Sequence, residues 1–174
     1  MRYNTEKEMY PDVASWLYDF LKSRYRKSKV ITLDSSQRSL SRIITDNGLS
    51  EYAPPEWISW DIKVDVVGFS ILKKSFKLAF VECKNSHMSL RDLSQLIGYS
   101  RIALPEHSFL ISPQGPSDSL STLIKTFNRI DVLRYLYPKA TLASGIVVAK
   151  WNMNKRSIDL SNALSDDKAK LGNL

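Results

Sequence analysis

Two stretches of the chain hold side chains whose types and spacing suit catalysis: Asp61-Ile62-Lys63-Val64-Asp65-Val66-Val67-Gly68 and Phe80-Val81-Glu82-Cys83-Lys84-Asn85. In an extended strand alternate residues share a face, so Glu82 and Lys84 project to one side and Cys83 to the other. An acid and an amine on a strand otherwise built from Phe76, Leu78, Phe80 and Val81 carry a desolvation cost unless they have partners. A divalent cation is such a partner. Asp65 and Glu82 can offer oxygen ligands to Mg²⁺ or Mn²⁺, with water completing the coordination. Lys84, a compact cation beside them, can lower the pKa of an attacking water, orient it, or offset charge developing on phosphate. These are the parts needed for phosphodiester hydrolysis. An isolated Glu-x-Lys triplet is ordinarily a surface ion pair. Here an acid followed by Val66-Val67-Gly68, and the hairpin spacing of the two stretches, argue for a site.

The elements that must position these residues follow from periodicity. Met9, Val13, Trp16, Leu17, Phe20 and Leu21 recur at helical spacing and predict an amphipathic helix over 5–25, with Thr5 and Glu8 as its capping box. The basic run Lys22, Arg24, Arg26, Lys27 and Lys29 closes it, where positive charge suits a helix C-terminus. A short strand is expected over 30–33. Residues 34–60, Ser-rich and broken by Asn47-Gly48 and Pro54-Pro55, read as a long loop with room for a short helix. Its Tyr52, Trp57 and Trp60 suit packing onto a sheet better than stacking on bases.

Strands are expected over 61–70 and 76–85, joined by a turn containing Lys73 and Lys74. Ser89 can cap a helix running to about Ala103, followed by a buried strand over 107–112, a break at Pro113-Gln114-Gly115-Pro116 and a helix over 117–128. The apolar run Ile146-Val147-Val148-Ala149 gives a final strand over 145–151. Residues 161–174 lack an apolar face and read as a tail behind a domain over 1–160. The order of elements is that of an α/β domain.

At 174 residues the chain fits one domain, and 43% hydrophobic with 25% charged residues is ordinary for a globular fold. No apolar run approaches the roughly 18 residues that span a bilayer, and the N-terminus is charged where a signal peptide would be apolar, so an intracellular (cytoplasmic) protein without membrane contact is expected. The single cysteine, Cys83, excludes an internal disulfide and any multi-cysteine zinc or iron–sulfur site within the chain. A formal net charge of +7 favours a polyanionic partner.

On these residues the chain resembles the PD-(D/E)XK nucleases, over roughly residues 5–112 and most strongly over 61–99. The resemblance implies a restriction-endonuclease-like core, a central mixed sheet flanked by helices. It also implies that Asp65 and Glu82 hold Mg²⁺ or Mn²⁺, that Lys84 activates water, and that Cys83 lends its backbone carbonyl to the metal. Many members place a Glu on the first helix. Of the two available, Glu6 shares the inward stripe of Met9, Tyr10, Val13 and Leu17, whereas Glu8 shares a face with Pro11, Asp12 and Ser15. The RecB-type branch adds a QxxxY motif, present here as Gln95-Leu96-Ile97-Gly98-Tyr99, whose ends share one helical face with Arg91. The same two residues could simply border the apolar Leu93/Leu96/Ile97 face. Val64 stands where the family name has Pro, and Asp61 is a fallback ligand.

The implied activity is metal-dependent hydrolysis of DNA. The alternatives are a catalytically silent DNA-binding or assembly protein on the same fold and, among nucleases, a Holliday-junction resolvase or a restriction-type endonuclease, because fold does not fix substrate. An endonuclease cutting two strands would suit a homodimer. His87 reads as an exposed loop residue and His107 as structural; with these two histidines alone there is no support for a Ser/His/Asp triad, and no Gly-rich phosphate loop is present.

Overall fold

The protein is described here from a computed structural model, covering residues 3–135 and 145–166. Among these residues the strands form one six-stranded mixed sheet in sequential order, β1 (Lys29–Asp34), β2 (Val66–Ile71), β3 (Phe76–Cys83), β4 (His107–Ser112), β5 (Ile146–Asn152) and β6 (Ser157–Leu164). β1, β2 and β3 are antiparallel neighbours, β3, β4 and β5 run parallel, and β6 returns antiparallel. The helices are α1 (Tyr10–Arg24), α2 (Leu40–Asp46), α3 (Leu90–Ala103) and a short α4 (Asp118–Ser121) that continues as a wider turn over Thr122–Thr126. This is a single α/β domain with its sheet flanked by helices.

Alternation divides the sheet into two apolar faces. Ala79, Val81 and Cys83 of β3 join Val13, Leu17 and Leu21 of α1 in one core. Leu78 and Phe80 join Leu93 and Leu96 of α3 and Ile43 and Ile44 of α2 in the other. Gly68 sets how closely α1 approaches: a Cβ there would lie 2.6 Å from Leu21 Cδ1 and 2.9 Å from Leu17 Cδ2. A side chain there would force the buried Leu17 and Leu21 side chains to shift. The helix therefore lies directly on the sheet, with its N-terminus over the end where β2 begins and β3 finishes.

Several expectations needed correction. The segment 61–65 is not a strand, although Ile62 and Val64 are buried and Asp61 and Lys63 exposed in strand-like alternation. Its partners come from the chain after β1 and from the start of α2: Ile62 accepts from Leu40 N–H and Val64 from the Ser35 hydroxyl. The helix cap at Thr5 is absent as well. A 3₁₀ turn over Glu6–Met9 precedes α1, Thr5 makes no capping bond, and the Glu8 carboxylate accepts instead from Asn4 N–H at 2.9 Å. The strand over 145–151 is not the last, since β6 follows it. Only part of β6 alternates recognisably, because its register against β5 shifts between Val148 and Lys150. The tail expected from 161 thus opens inside a strand, and residues 167–174 lie outside the described residues.

Candidate active site

The end of the sheet where β2 begins gathers Asp65, Glu82, Lys84 and Glu6. The backbone of Asp65 is fixed from β1, whose successor Ser35 donates its N–H to the Asp65 carbonyl at 2.9 Å. Its carboxylate is held from two sides. Oδ2 accepts the Cys83 N–H at 2.8 Å, and Oδ1 accepts the Tyr10 hydroxyl of α1 at 2.7 Å. Glu82 is only 4% exposed, on the same side of β3 as Phe80, and its Oε1 accepts from Lys84 Nζ at 3.0 Å. Glu6 is half-buried ahead of α1 and accepts the Asn85 N–H at 3.4 Å. Asn85 fastens that N-terminal segment to β3, its side-chain amide donating to the carbonyls of Tyr3 and Asn4.

Glu82 alone contacts Lys84, while Glu6 and Asp65 lie near enough to add negative potential there. Burial, then the nearby Asp65, pushes the Glu82 carboxyl up to about 7, with Lys84 opposing. Burial also raises Asp65, against the hydrogen bonds from Tyr10 and Cys83. Desolvation would lower Lys84, but Glu82, Glu6 and Asp65 together hold its ammonium above the usual lysine range. The Cys83 thiol faces the α1 core, and burial drives its pKa well up, so it is inert as a nucleophile. The Tyr10 hydroxyl is likewise raised by burial and by its bond to Asp65.

A cluster with surplus buried negative charge fits a divalent cation, which would supply the missing positive charge. Asp65 and Glu82 are the carboxylates that could hold it, and the Cys83 carbonyl is a ligand only by the resemblance. Among the described residues no three or more His, Cys, Asp and Glu side chains converge as a ligand cage. Two carboxylates would suit an ion such as Mg²⁺, which keeps several of its waters.

The other expected site residues lie apart. Gln95 is exposed on α3, and Tyr99 is partly buried against the α3-side core. Among the described residues no hydrogen bond joins either to Asp65, Glu82 or Lys84. Asp61 is exposed and outside β2, Arg91 and His87 are exposed, and His107 meets the Tyr25 hydroxyl at 2.9 Å from the far end of the sheet. Trp60 is buried in the α3-side core, and Tyr52 and Trp57 pack against the same core.

Tyr10 and Lys150 were not legible as site residues. Tyr10 is four positions from Glu6 on the inward stripe, a spacing that could have flagged it. Lys150 needs the sheet register to be seen. It pairs with Ser112 of β4, one step beyond the Cys83–Ile111 pair, and so shares a row with Lys84 on the same face. It lines a cavity of about 390 Å³ with Pro113, Asn152 and Asp159, at the carboxyl ends of the parallel strands, to which Asp65, Glu82 and Lys84 do not contribute. Ligands of open α/β sheets commonly bind at such ends.

The chain matches no protein-family model, no curated protein and no solved structure. Among the described residues no helix is long and apolar enough to cross a membrane.

Proposed function

We propose that the protein is a divalent-metal-dependent nuclease that hydrolyses phosphodiester bonds of DNA. The observation carrying this reading is the placement of half-buried Asp65 and buried Glu82 around the end of β3, with the Lys84 ammonium on Glu82. The order of α1, an antiparallel strand trio, α3 and a parallel strand is also compatible with the restriction-endonuclease-like core of the PD-(D/E)XK nucleases.

Hydrolysis adds water across a P–O bond: the water oxygen bonds to phosphorus, the bridging bond breaks, and the leaving alcohol oxygen takes up a proton. A bound divalent cation supplies Lewis acidity toward the water and the phosphate. Lys84 presents fixed positive charge to the phosphate oxygens as negative charge builds there. Glu82 holds that ammonium in place, and Tyr10 and Cys83 N–H fix the rotamer of Asp65. Such preorganisation keeps the groups from having to reorder during reaction. Lys150, two strands along the same row, would meet a phosphate further along the nucleic acid.

One observation favours the silent DNA-binding alternative: both Asp65 oxygens already accept hydrogen bonds, and Lys84 is already engaged by Glu82. Incubation with supercoiled plasmid, labelled single strands and four-way junctions, with Mg²⁺, Mn²⁺ or chelator, separates the two readings. Metal-dependent products that vanish in Lys84→Ala support the nuclease. DNA binding without products under every metal condition would leave only the silent protein.

A further inference from the structure

A group of five exposed cations lies at the opposite end of the sheet from the acids. α1 ends in Arg24 and leads through Arg26 and Lys27 to Lys29, the first residue of β1. Lys29 pairs with Ile71, and Ile71 with Phe76, so the β2–β3 turn carrying Lys73 and Lys74 stands beside the α1–β1 turn. Arg26, Lys27, Lys29, Lys73 and Lys74 are all exposed, and among the described residues none forms an ion pair. By contrast Lys77, nearby on β3, is matched by Glu106 at 2.6 Å. Stabilising the α1 C-terminus accounts for charge in the helix's last turn, because that effect fades within a turn. It does not account for Lys73 and Lys74, which come from a different element.

We propose that these two turns form a second phosphate-binding surface, which contacts nucleic acid at a position remote from the acidic cluster. β3 alone separates the two ends by roughly 25 Å, at about 3.3 Å per residue. That is about seven nucleotides along one strand at 3.4 Å each. The surface therefore engages a segment other than the phosphate at Lys84, and adds affinity without touching the reacting bond. Like charges left exposed and unmatched lower stability slightly by mutual repulsion, and a polyanion relieves this. Of the exposed large apolar side chains only Leu72 lies in either turn. That is too little apolar area for insertion into a bilayer. The choice of nucleic acid over other polyanions rests on the nuclease reading of the acidic end.

Fluorescence anisotropy with a 30-base-pair duplex, about four times the span above, tests the proposal in chelator, where no cleavage occurs. Lys73→Glu/Lys74→Glu and Arg26→Glu/Lys27→Glu are compared with a control of equal charge change, Lys125→Glu/Lys155→Glu, and circular dichroism checks folding. Each patch variant is expected to lose about tenfold or more in affinity and to flatten the logarithmic salt slope by about two units, one per lost phosphate contact. The control should move neither by comparable amounts. Equal losses in patch and control variants overturn the proposal, as does a patch-dependent attraction to phosphatidylserine vesicles in place of DNA. The two patch variants alter separate turns, so a folding defect in one leaves the other decisive. Patch-dependent binding without any cleavage would sink the nuclease reading alone, and cleavage with patch-independent affinity would sink this proposal alone.

Discussion

The two ends of the sheet carry opposite charge by opposite means. At one end, Asp65 and Glu82 are sequestered, and their oxygens are held by a backbone N–H, a buried hydroxyl and one ammonium. At the other, Arg26, Lys27, Lys29, Lys73 and Lys74 stand in solvent on turns. Buried charge interacts through low dielectric, resists screening and perturbs its neighbours' protonation, as reaction chemistry requires. Exposed charge is screened within about 10 Å at 0.1 M salt, and serves attraction rather than chemistry. The acidic end should therefore respond to mutation in rate and in pH dependence, and the basic end in affinity and salt dependence.

The sharpest way to break this comparison is to neutralise each member of the buried pair. Lys84→Ala and Glu82→Gln should each lower metal-dependent cleavage by about 10³-fold or more, on the scale of losing a principal charge-stabilising group. Their stabilities should diverge. Lys84→Ala leaves Glu82 buried without its cation and should lower the Tm at pH 8, whereas Glu82→Gln removes the buried charge and should raise it. Thermal melts in chelator alongside cleavage rates check both. Parallel shifts in Tm would show that burial of the Glu82 charge does not govern the stability of the pair.

Next in size is the contrast between the two acids before α1. Glu6 accepts Asn85 N–H and adds negative potential at Asp65, Glu82 and Lys84, while Glu8 is exposed and tied to Asn4. Glu6→Gln should slow cleavage by about 10- to 100-fold, as expected of a group that shapes a site's field without being its main charge. Glu8→Gln should leave the rate near wild type. The reverse ranking at saturating Mg²⁺ would mean that α1 docks in another rotation.

Proton linkage gives a smaller effect. The Glu82 carboxyl sits at about 7 in the folded protein, above its ordinary 4.5, so the folded state binds the proton more tightly than the unfolded chain. Metal-free stability should then fall as pH rises from about 4.5 to 7 and level off above, by a few kcal/mol at most. Asp65, raised in the same direction, adds to the fall. Denaturant titrations from pH 4.5 to 8 should show this slope in the wild type and a much flatter one in Glu82→Gln.

How much of this was legible beforehand differs between residues for physical reasons. The β2–β3 hairpin, α3 with its Ser89 cap and the boundaries of β4 follow from local alternation and capping, which the structure shows directly. The segment 61–65 misleads, because burial alternates there while its hydrogen bonds go to Ser35 after β1 and to Leu40 at the start of α2. β6 was hidden by its register shift against β5. In the site, the Glu82–Lys84 contact is visible from strand parity alone. Tyr10, Asn85 and Lys150 join it only through pairings between distant segments, which no local pattern encodes. The basic end was half visible, as a run at the close of α1, and became a surface only once β1 and β2 brought Lys73 and Lys74 alongside.

The smallest expected effects belong to α3, and they sharpen the comparison by asking whether a third region shares in the chemistry. α3 packs on the face of the sheet to which Glu82 and Lys84 project, so the helix is on the correct side to contribute. Yet Gln95 is exposed, Tyr99 is partly buried against apolar neighbours, and no hydrogen bond carries either to the acids among the described residues. If Gln95 meets substrate, Gln95→Ala should raise KM by a few-fold with kcat nearly unchanged, because a contact made equally to substrate and transition state appears in KM alone. Tyr99→Phe keeps the ring and its packing and removes only the hydroxyl. Its Tm should therefore stay within about 2 °C of wild type, as for a change of about 0.5 kcal/mol in a chain of this length. A fall in kcat for Tyr99→Phe at constant Tm would bring that hydroxyl into the reaction and extend the acidic end onto α3. Unchanged kinetics in both variants would leave the QxxxY spacing as the polar border of a packed helix, with the chemistry confined to β2, β3 and the start of α1.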